Sequence, residues 1–322
     1  MTGRRYTTIV QRVRTHVEKI MRDKGNTHLL SPGTLLLFLS GVYGAAVRMR
    51  ASGYARHWFS VRHLPCKVIS IGNITVGGTG KTPMTRYMAR QVQTLGLKPA
   101  IVSRGYKGTA ENSGGIVSDG KRILMDAASA GDEPYMLATG LKDIPVAVGR
   151  DRYAAAMALL RVCHPDVIIL DDAFQHLALA RDLNVVLLDR NRPFGNAYLL
   201  PRGPLREPLG ALERGDFFIL TRSGLNREPE ENRFINQLPD RPVLKAAAKT
   251  VVSRLVRARH STAARPAISP TTALVNGLKA KQVLLFSGLA DNPGFRNTVE
   301  EAGATVVDAL DYNDHYALSL IH

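Results

Sequence analysis

The stretch from Val68 to Thr85, VISIGNITVGGTGKTPMT, constrains the fold of this chain more than any other. Its first residues are apolar or β-branched and predict a short buried strand that runs into Gly72. A glycine-rich turn follows, and from Met84 to Leu95 apolar residues recur at helical spacing. A strand, a glycine-rich loop that ends in Lys-Thr and a helix are the layout of a phosphate-binding loop.

The chemistry of such a loop assigns roles to its residues. Glycines let backbone N–H groups converge on phosphate oxygens, and the helix N-terminus adds partial positive charge. Lys81 would neutralise the terminal phosphates, and Thr82 would place its hydroxyl on Mg²⁺. The predicted ATP-binding residues are Thr75, Val76, Gly77, Gly78, Thr79, Gly80, Lys81 and Thr82. The usual pattern has Gly where Thr75 stands, so a glycine-rich turn with an incidental Lys is the alternative.

The composition of the whole chain limits the class of protein. Its 322 residues suffice for one large or two modest domains with real cores. The net charge of +16 favours an anionic partner, which includes nucleic acid, anionic lipid and phosphorylated substrates. Cys66 and Cys163 are the only cysteines, so the sequence implies no disulfide framework and fits a reducing cytoplasm.

The N-terminal residues 1–28 form a basic amphipathic extension. They carry seven Lys and Arg against Glu18 and Asp23, with apolar residues at helical spacing. This pattern predicts binding to a membrane surface. A helix packed on the protein's own surface, or a frayed extension, is the alternative.

A membrane-associated helical segment is predicted over residues 29–62. From His28 to Val47 the chain has no charged Asp, Glu, Lys or Arg, although Ser31-Pro32-Gly33 should shorten the continuous apolar helix. A full span would leave the preceding basic residues outside, against the positive-inside tendency. We therefore expect a helix in the cytoplasmic interface, and a buried core helix is the alternative. The residues expected on lipid headgroups are Arg48, Arg50, Arg56 and Arg62.

From residue 63 onward, predicted strands alternate with predicted helices. This alternation predicts an α/β fold with a doubly wound, mainly parallel sheet in a P-loop core, residues 63–245, followed by a smaller C-terminal α/β lobe, residues 246–322. Ligands collect at the carboxyl ends of such strands, where Arg104 and Asp189 lie. Asp171 and Asp172 follow the apolar run VIIL, and with Thr82 they form the predicted Mg²⁺ site.

More specific motifs extend through the chain. They read TVGGTGKTP at 75–83, SRGYKG at 103–108, GDEP at 131–134, VGRDR at 148–152, DDAFQH at 171–176, GPLREP at 203–208 and DH at 314–315. With these motifs, from about Leu29 to Tyr316, the chain resembles the tetraacyldisaccharide 4′-kinases of lipid A biosynthesis. Thr75 is normal for that family. Ala173 stands where the family usually has Gly, which bears on a tight turn. The basic segment before Leu29 is longer than expected, and the chain stops at His322, so we expect the C-terminal lobe to be truncated.

The resemblance implies a membrane-associated kinase on the cytoplasmic face of the inner membrane. Such an enzyme moves the γ-phosphoryl group of ATP, with Mg²⁺, onto the 4′-hydroxyl of a tetraacyldisaccharide 1-phosphate. It also implies that Asp132 is the acceptor base, paired with His315 beside Asp314. The residues alone favour a helix N-cap for Asp132 and a loop histidine for His315. The implied substrate-binding residues are Arg150, Gln175, His176, Arg206 and Glu207. The alternative for the arginines is a solvated side chain, and His176 is either an orienter of the metal carboxylates or a core histidine.

Two other functions fit parts of the same pattern. A P-loop kinase of a small soluble acceptor would not need the apolar segment. A membrane-tethered nucleotide-binding regulator would lack an acceptor base. A nucleic-acid partner is suggested by charge alone, and we expect none, because the sequence shows neither an RNA-binding aromatic signature nor a helix-turn-helix pattern.

Overall fold

The computed structural model describes residue 21 and residues 31–222, 234–247, 278–287 and 292–312. The predicted extension 1–28, apart from residue 21, and the predicted catalytic residues Asp314 and His315 lie outside these ranges. The chain divides into two compact units, Met1–Ala247 and Ala248–His322.

The elements of the first unit alternate much as the sequence pattern predicts. The helices are α1 (Pro32–Ala55), α2 (Lys81–Thr94), α3 (Ala127–Ala130), α4 (Asp132–Gly140) and α5 (Arg152–Cys163), with 3₁₀ turns at Thr109–Glu111 and Leu209–Arg214. The strands are β1 (Lys67–Asn73), β2 (Pro99–Ser103), β3 (Gly115–Ser118), β4 (Val146–Val148), β5 (Val167–Asp171), β6 (Leu183–Asp189), β7 (Phe217–Thr221) and β8 (Val243–Lys245).

These strands form one sheet in the order β3-β4-β2-β5-β1-β6-β7-β8. Every neighbouring pair is parallel except β3 with β4. Alternate residues of β5 enter different cores: Ile169 packs with residues of α2 and α4, whereas Ile168 and Leu170 pack with residues of α5. Helices therefore cover both faces, which confirms the doubly wound, mainly parallel fold.

Helix α1 lies within the predicted helical segment 29–62 and is mostly exposed. Pro32 occupies its first turn, where a missing N–H costs nothing, and the helix continues for 24 residues, past Arg48. By length and composition alone it is able to cross a membrane, yet only 17% of its most apolar window is buried. The alternative of a buried core helix is therefore wrong. Its buried positions are small residues such as Gly33, Ser40 and Gly44.

The described part of the second unit is a strand–helix–strand segment. It consists of β9 (Gln282–Ser287), α6 (Asn292–Glu301) and β10 (Thr305–Asp311). The two strands pair in parallel, with an irregularity between Val306 and Asp308. A strand, a helix and a strand fit the smaller α/β lobe that the sequence predicts for residues 246–322.

Candidate active site

The phosphate-binding loop joins β1 to α2, at the carboxyl end of a central strand. Gly77 and Gly80 have φ of 110° and 81°, values that favour glycine, and Gly80 is the N-cap of α2. The Nζ atom of Lys81 lies 3.5 Å from the carbonyl oxygen of Gly77 and 3.8 Å from Oδ1 of Asp172. The lysine thus bridges the loop and the end of β5, where the sequence placed the metal carboxylates.

The GPLREP segment, residues 203–208, supports this loop from one side. The backbone N–H of Val76 donates to the carbonyl of Pro204 at 2.8 Å, and the N–H of Arg206 donates to the carbonyl of Ile74 at 2.8 Å. The side chain of Arg206 then reaches Oδ1 of Asp172 at 2.8 Å. One extended segment therefore fixes the loop backbone and supplies a cation to the site.

The DDAFQH segment places its two carboxylates in different environments. Asp171 is the last residue of β5 and is 1% exposed. Its Oδ1 accepts from Oγ1 of Thr85 at 2.8 Å and its Oδ2 from Oγ of Ser103 at 3.4 Å. Burial, followed by the charge of Glu133, raises the pKa of Asp171 to about 6. Asp172 is half-exposed and paired with Arg206 and Lys81.

The turn after β5 accepts alanine where the family usually has glycine. Among the non-glycine residues described in this turn, Asp172 has the left-handed conformation, with φ of 47°, and Ala173 does not. Ala173 is fully buried, and its N–H donates to the carbonyl of Ile71 at 3.2 Å. The alanine methyl group is thus accommodated without a change in the handedness of its own backbone.

Glu133 is a site residue that the sequence interpretation missed. Oγ1 of Thr82 donates to Oε2 of Glu133 at 3.0 Å, and the charge of Glu133 acts on Asp171. Within the described ranges, no three His, Cys, Asp or Glu side chains form a metal-binding group by themselves. Mg²⁺ uses one or two carboxylates together with substrate phosphates, and Thr82 with one or two of the carboxylates of Glu133, Asp171 and Asp172 would supply such oxygens. The sequence signal that could have identified Glu133 is its position next to Asp132 in the GDEP motif.

Asp132 is the first residue of α4, and Gly131, with φ of 88°, takes the N-cap position. The N-cap alternative for Asp132 is therefore wrong. The SRGYKG loop holds this turn closely: a Cβ on Gly108 would lie 2.4 Å from the carbonyl oxygen of Ser129, and one on Gly131 would lie 2.9 Å from that of Tyr106. Close backbone packing thus fixes the start of α4, from which Glu133 reaches Thr82.

Gln175 and Glu207, two of the predicted substrate-binding residues, make internal contacts. Nε2 of Gln175 donates to the carbonyl of Asn73 at 2.8 Å, and its Oε1 accepts from Arg206 at 3.3 Å. Glu207 is 2% exposed and accepts a hydrogen bond from Arg214, whose guanidinium lies over the ring of Phe174. The contacts of Gln175 hold Arg206 in place, and those of Glu207 anchor the GPLREP segment.

The remaining predicted residues lie on the two loops after β4 and β5. Arg150 is exposed, with its N–H bonded to the carbonyl of Glu111 at 2.6 Å. Nε2 of His176 is buried and has no hydrogen-bond partner in the described part of the chain. Burial, with the charges of Arg152 and Arg181, lowers the pKa of His176 to about 4. With this low pKa, the half-buried imidazole of His176 is neutral at pH 7.

Two further arginines, to which the sequence interpretation gave no role, border the site, although Arg152 belongs to the VGRDR motif at 148–152. Arg152 is 5% exposed and donates to the carbonyls of Gly149 and Arg150, at 3.3 and 3.1 Å. Arg222 follows β7, and its guanidinium lies 3.3 Å from Oδ2 of Asp189 and 3.3 Å from the carbonyl oxygen of Gly78. Both arginine side chains stabilise the carboxyl edge of the sheet through these contacts.

Known proteins are similar to this chain over most of its length. A tetraacyldisaccharide 4′-kinase of Desulfatibacillum aliphaticivorans is 40% identical over 311 residues, which cover 96% of this chain and 82% of that protein. Its counterpart in Geobacter sulfurreducens is 41% identical over 283 residues, 88% of this chain and 75% of that protein. The solved structure of LpxK from Aquifex aeolicus in complex with ATP is 32% identical, with a TM-score of 0.72, and covers 89% of this chain and 83% of that one. The family model described as tetraacyldisaccharide-1-P 4′-kinase matches residues 33–320, and the chain belongs to this family.

Proposed function

We propose that this chain transfers the γ-phosphoryl group of ATP to the 4′-hydroxyl of a tetraacyldisaccharide 1-phosphate. The observation that carries the proposal is the position of Lys81, which lies between the phosphate-binding loop and Asp172. Membership in the family, and its similarity to a solved relative in complex with ATP, support this acceptor over a soluble one. They also favour an enzyme over a regulator that binds nucleotide without transfer.

Charge neutralisation and positioning account for most of the chemistry of phosphoryl transfer. Lys81 and Arg206 would face the phosphates as cations held by Asp172. Thr82 with one or two of the carboxylates of Glu133, Asp171 and Asp172 would hold Mg²⁺, which when bound supplies further positive charge to the phosphate oxygens. The backbone N–H groups of the loop, pre-arranged by Gly77 and Gly80, would bind the same oxygens.

Asp132 is the proposed general base. The acceptor oxygen forms its bond to the γ-phosphorus as the bond to the ADP oxygen breaks, and the acceptor proton passes to the Asp132 carboxylate. The support is its place at the start of α4, next to the Glu133 that bonds Thr82. His315, beside Asp314, is the proposed partner that orients this carboxylate. Arg150 is proposed to bind the acceptor's sugar or phosphate groups from the loop after β4.

The acceptor is a lipid, and we propose that α1 brings the enzyme to the cytoplasmic face of the inner membrane. Large apolar side chains project from the helix, with Phe38 68% and Leu35 61% exposed. Arg48 and Arg50 follow on the same helix and suit anionic headgroups. Arg62 fits that role less well, because it is paired with Asp151 at 2.7 Å and stacked on Tyr153.

The decisive experiment incubates the protein with labelled ATP, Mg²⁺ and a tetraacyldisaccharide 1-phosphate in mixed micelles. We expect a bisphosphorylated lipid as product. Lys81→Ala should reduce transfer by on the order of 10²–10³-fold, as loss of a charge-stabilising donor does, while the thermal unfolding curve stays unchanged. Lys121→Ala, on an exposed turn, is the matched control and should retain activity. Transfer by Lys81→Ala at the wild-type rate would overturn the assignment of the site.

A further inference from the structure

A buried asparagine, Asn73, lies at the end of β1, directly before the phosphate-binding loop. It is the last residue of the strand and is 0% exposed. Its Nδ2 atom donates to Oγ1 of Thr79, in the middle of the loop, at 2.9 Å. Thr79 is also buried, so both partners of this hydrogen bond are withdrawn from water. The bond therefore ties the loop to the strand from which it departs.

Packing alone gives no reason for an amide at this position. Within the described part of the chain, Oδ1 of Asn73 has no hydrogen-bond partner, so the side chain is only partly satisfied. A buried polar atom without a partner lowers stability, whereas two apolar side chains of the same shape would be nearly neutral. Ile69 and Ile71, which precede Asn73 on the same face of β1, are apolar and pack in the core. The asparagine is therefore explained by its bond to the loop rather than by the stability of the sheet.

The backbone of Asn73 connects the same loop to an arginine of the site. Its carbonyl oxygen accepts from Nε2 of Gln175 at 2.8 Å, and Oε1 of Gln175 accepts from Arg206 at 3.3 Å. Arg206 also donates to Oδ1 of Asp172 at 2.8 Å, and that oxygen lies 3.8 Å from Nζ of Lys81. These contacts form a closed ring that begins and ends at the phosphate-binding loop. We call it the contact ring, and its members are Thr79, Asn73, Gln175, Arg206, Asp172 and Lys81.

We propose that Asn73 is a positioning residue for phosphoryl transfer, an inference that rests on the proposed function. Its side chain sets the shape of the loop through Thr79, and its carbonyl sets the place of Arg206 through Gln175. Because both contacts leave from one residue, the backbone N–H groups of the loop and the guanidinium of Arg206 are fixed relative to each other. Donors held in this way lose little conformational freedom when they bind phosphate oxygens, which increases affinity for the nucleotide.

The paired variant Asn73→Leu with Thr79→Val tests this role. It replaces both partners of the hydrogen bond by apolar side chains of similar shape, so the midpoint of thermal unfolding should stay close to wild type. Affinity for a non-hydrolysable ATP analogue with Mg²⁺, measured by calorimetry, should fall by about tenfold, because the loop must then be ordered on binding. KM for ATP should rise in parallel, and KM for the acceptor should stay unchanged. Wild-type affinity for the analogue in the paired variant would overturn the proposal.

Ser70→Ala is the matched control. Ser70 is another buried polar residue of β1, and its Oγ has no hydrogen-bond partner among the residues that the structure describes. The substitution removes a polar atom from the same strand without breaking the contact ring, so affinity for the analogue should match wild type.

The single variants Thr79→Val and Thr79→Ser keep the proposal testable if the paired variant does not fold. Serine keeps the hydroxyl group that accepts from Asn73, so Thr79→Ser should recover most of the affinity that Thr79→Val loses. Equal affinity of the two variants for the analogue would contradict the role of this hydrogen bond and overturn the proposal.

Gln175→Leu tests the connection through Asn73. This substitution removes the bonds to the Asn73 carbonyl and to Arg206, whereas Thr79→Val releases the loop. If Asn73 connects the two, the combined loss of affinity should be smaller than the product of the two single losses. Losses that multiply would mean that the loop and Arg206 are held independently, which overturns the proposal. Absence of transfer to the tetraacyl acceptor by the wild-type protein would instead contradict the proposed function, since the calorimetric comparison depends on nucleotide binding alone.

Discussion

At the scale of single residues, hydrogen bonds within the protein fix the charged side chains of the site. Asp171 receives hydrogen bonds on both carboxylate oxygens, and Arg206 is held by Asp172 and by Gln175. Side chains fixed in this way need little reorganisation when a phosphate enters, which is the main source of electrostatic catalysis. The sequence left the roles of Asp132 and His176 open, and substitution of each residue tests its role separately.

The role of Asp132 is tested by Asp132→Asn. The variant keeps the shape of the side chain but is unable to take a proton, so kcat should fall by about 10²–10⁴-fold. Because Gly131 is the N-cap of α4, the substitution should leave the free energy of unfolding nearly unchanged. ATP binding, measured by calorimetry, should also stay close to wild type.

His315→Ala provides the companion measurement. It should cause a smaller loss of kcat than Asp132→Asn, because His315 is assigned to orient the carboxylate. If the two residues act as one unit, the double variant should be little worse than the Asp132 variant alone. An Asp132→Asn enzyme with normal turnover would show that another group is the base.

His176 should make the stability of the fold depend on pH. Its folded-state pKa of about 4 lies below the ordinary value of 6.5, because burial and nearby arginines disfavour the imidazolium. Between these values the unfolded chain binds more protons than the folded one, so stability falls as pH falls from 6.5 towards 4. The loss from this one group is at most about 3 kcal/mol.

Urea unfolding at pH 7 and pH 4.5 measures this effect. The fall in unfolding free energy between the two pH values should be smaller in His176→Gln than in wild type. His63→Gln, which removes an exposed histidine, is the control and should keep the wild-type difference. Equal differences in all three proteins would mean that His176 is accessible to protons in the folded state.

At the scale of elements, glycines let loops approach each other closely at the edge of the sheet. A Cβ on Gly72 would lie 2.6 Å from Cβ of Phe174. The end of β1 therefore packs directly against the DDAFQH segment. Gly108 similarly joins the SRGYKG loop to the turn before α4. These contacts bring together Asp172, in the turn after β5, and Glu133, in the first turn of α4.

Gly108→Ala should therefore destabilise the protein. Its Cβ would lie 2.4 Å from a carbonyl oxygen and 2.7 Å from a backbone nitrogen, atoms that are unable to move independently of the turn. Overpacking of this kind costs about 1–3 kcal/mol, which should appear as a lower midpoint of thermal unfolding. Gly210→Ala is the control, because a Cβ there meets nothing within 4 Å. Equal midpoints would contradict the close packing.

At the scale of the whole molecule, a net charge of +16 and an exposed apolar helix both favour an anionic membrane surface. Removing residues 1–47 is expected to release the protein from vesicles. That deletion would also remove Ser40 and Tyr43, which bond to residues 199 and 206. A point substitution on the exposed face of α1 separates membrane binding from stability more cleanly.

Phe38→Asp should weaken sedimentation with anionic vesicles, because it places a charge where the apolar face would enter the lipid. Leu95→Asp is the control, because Leu95 lies at the C-terminal end of α2 and not on α1. Its exposed fraction of 76% is close to the 68% of Phe38. The control should sediment as wild type does. If Phe38→Asp sediments equally well, and raised salt releases the protein, the basic surface of the body is the anchor instead.

Residue order along the chain was sufficient to predict the phosphate-binding loop, the alternation of strands and helices, and the carboxylates at the end of β5. Each depends on spacing within one segment: glycines beside Lys81, or an apolar run that ends at Asp171. For helix α1 the sequence left a buried core helix open as the alternative, because exposure depends on what the rest of the chain leaves uncovered. The helix continues past the apolar run that ends at Val47, through Arg48 to Ala55.

Only the tertiary structure decided which side chains from distant segments share the site. Strand β5 lies between β2 and β1 although it follows both by many residues, and this order brings Asp171 next to Thr85 and Ser103. The same folding pairs Glu133 with Thr82 and buries Glu207 against Arg214. Local sequence patterns record spacing along one element, whereas these contacts arise from hydrogen bonding and burial between elements, and so they exist only once the sheet has assembled.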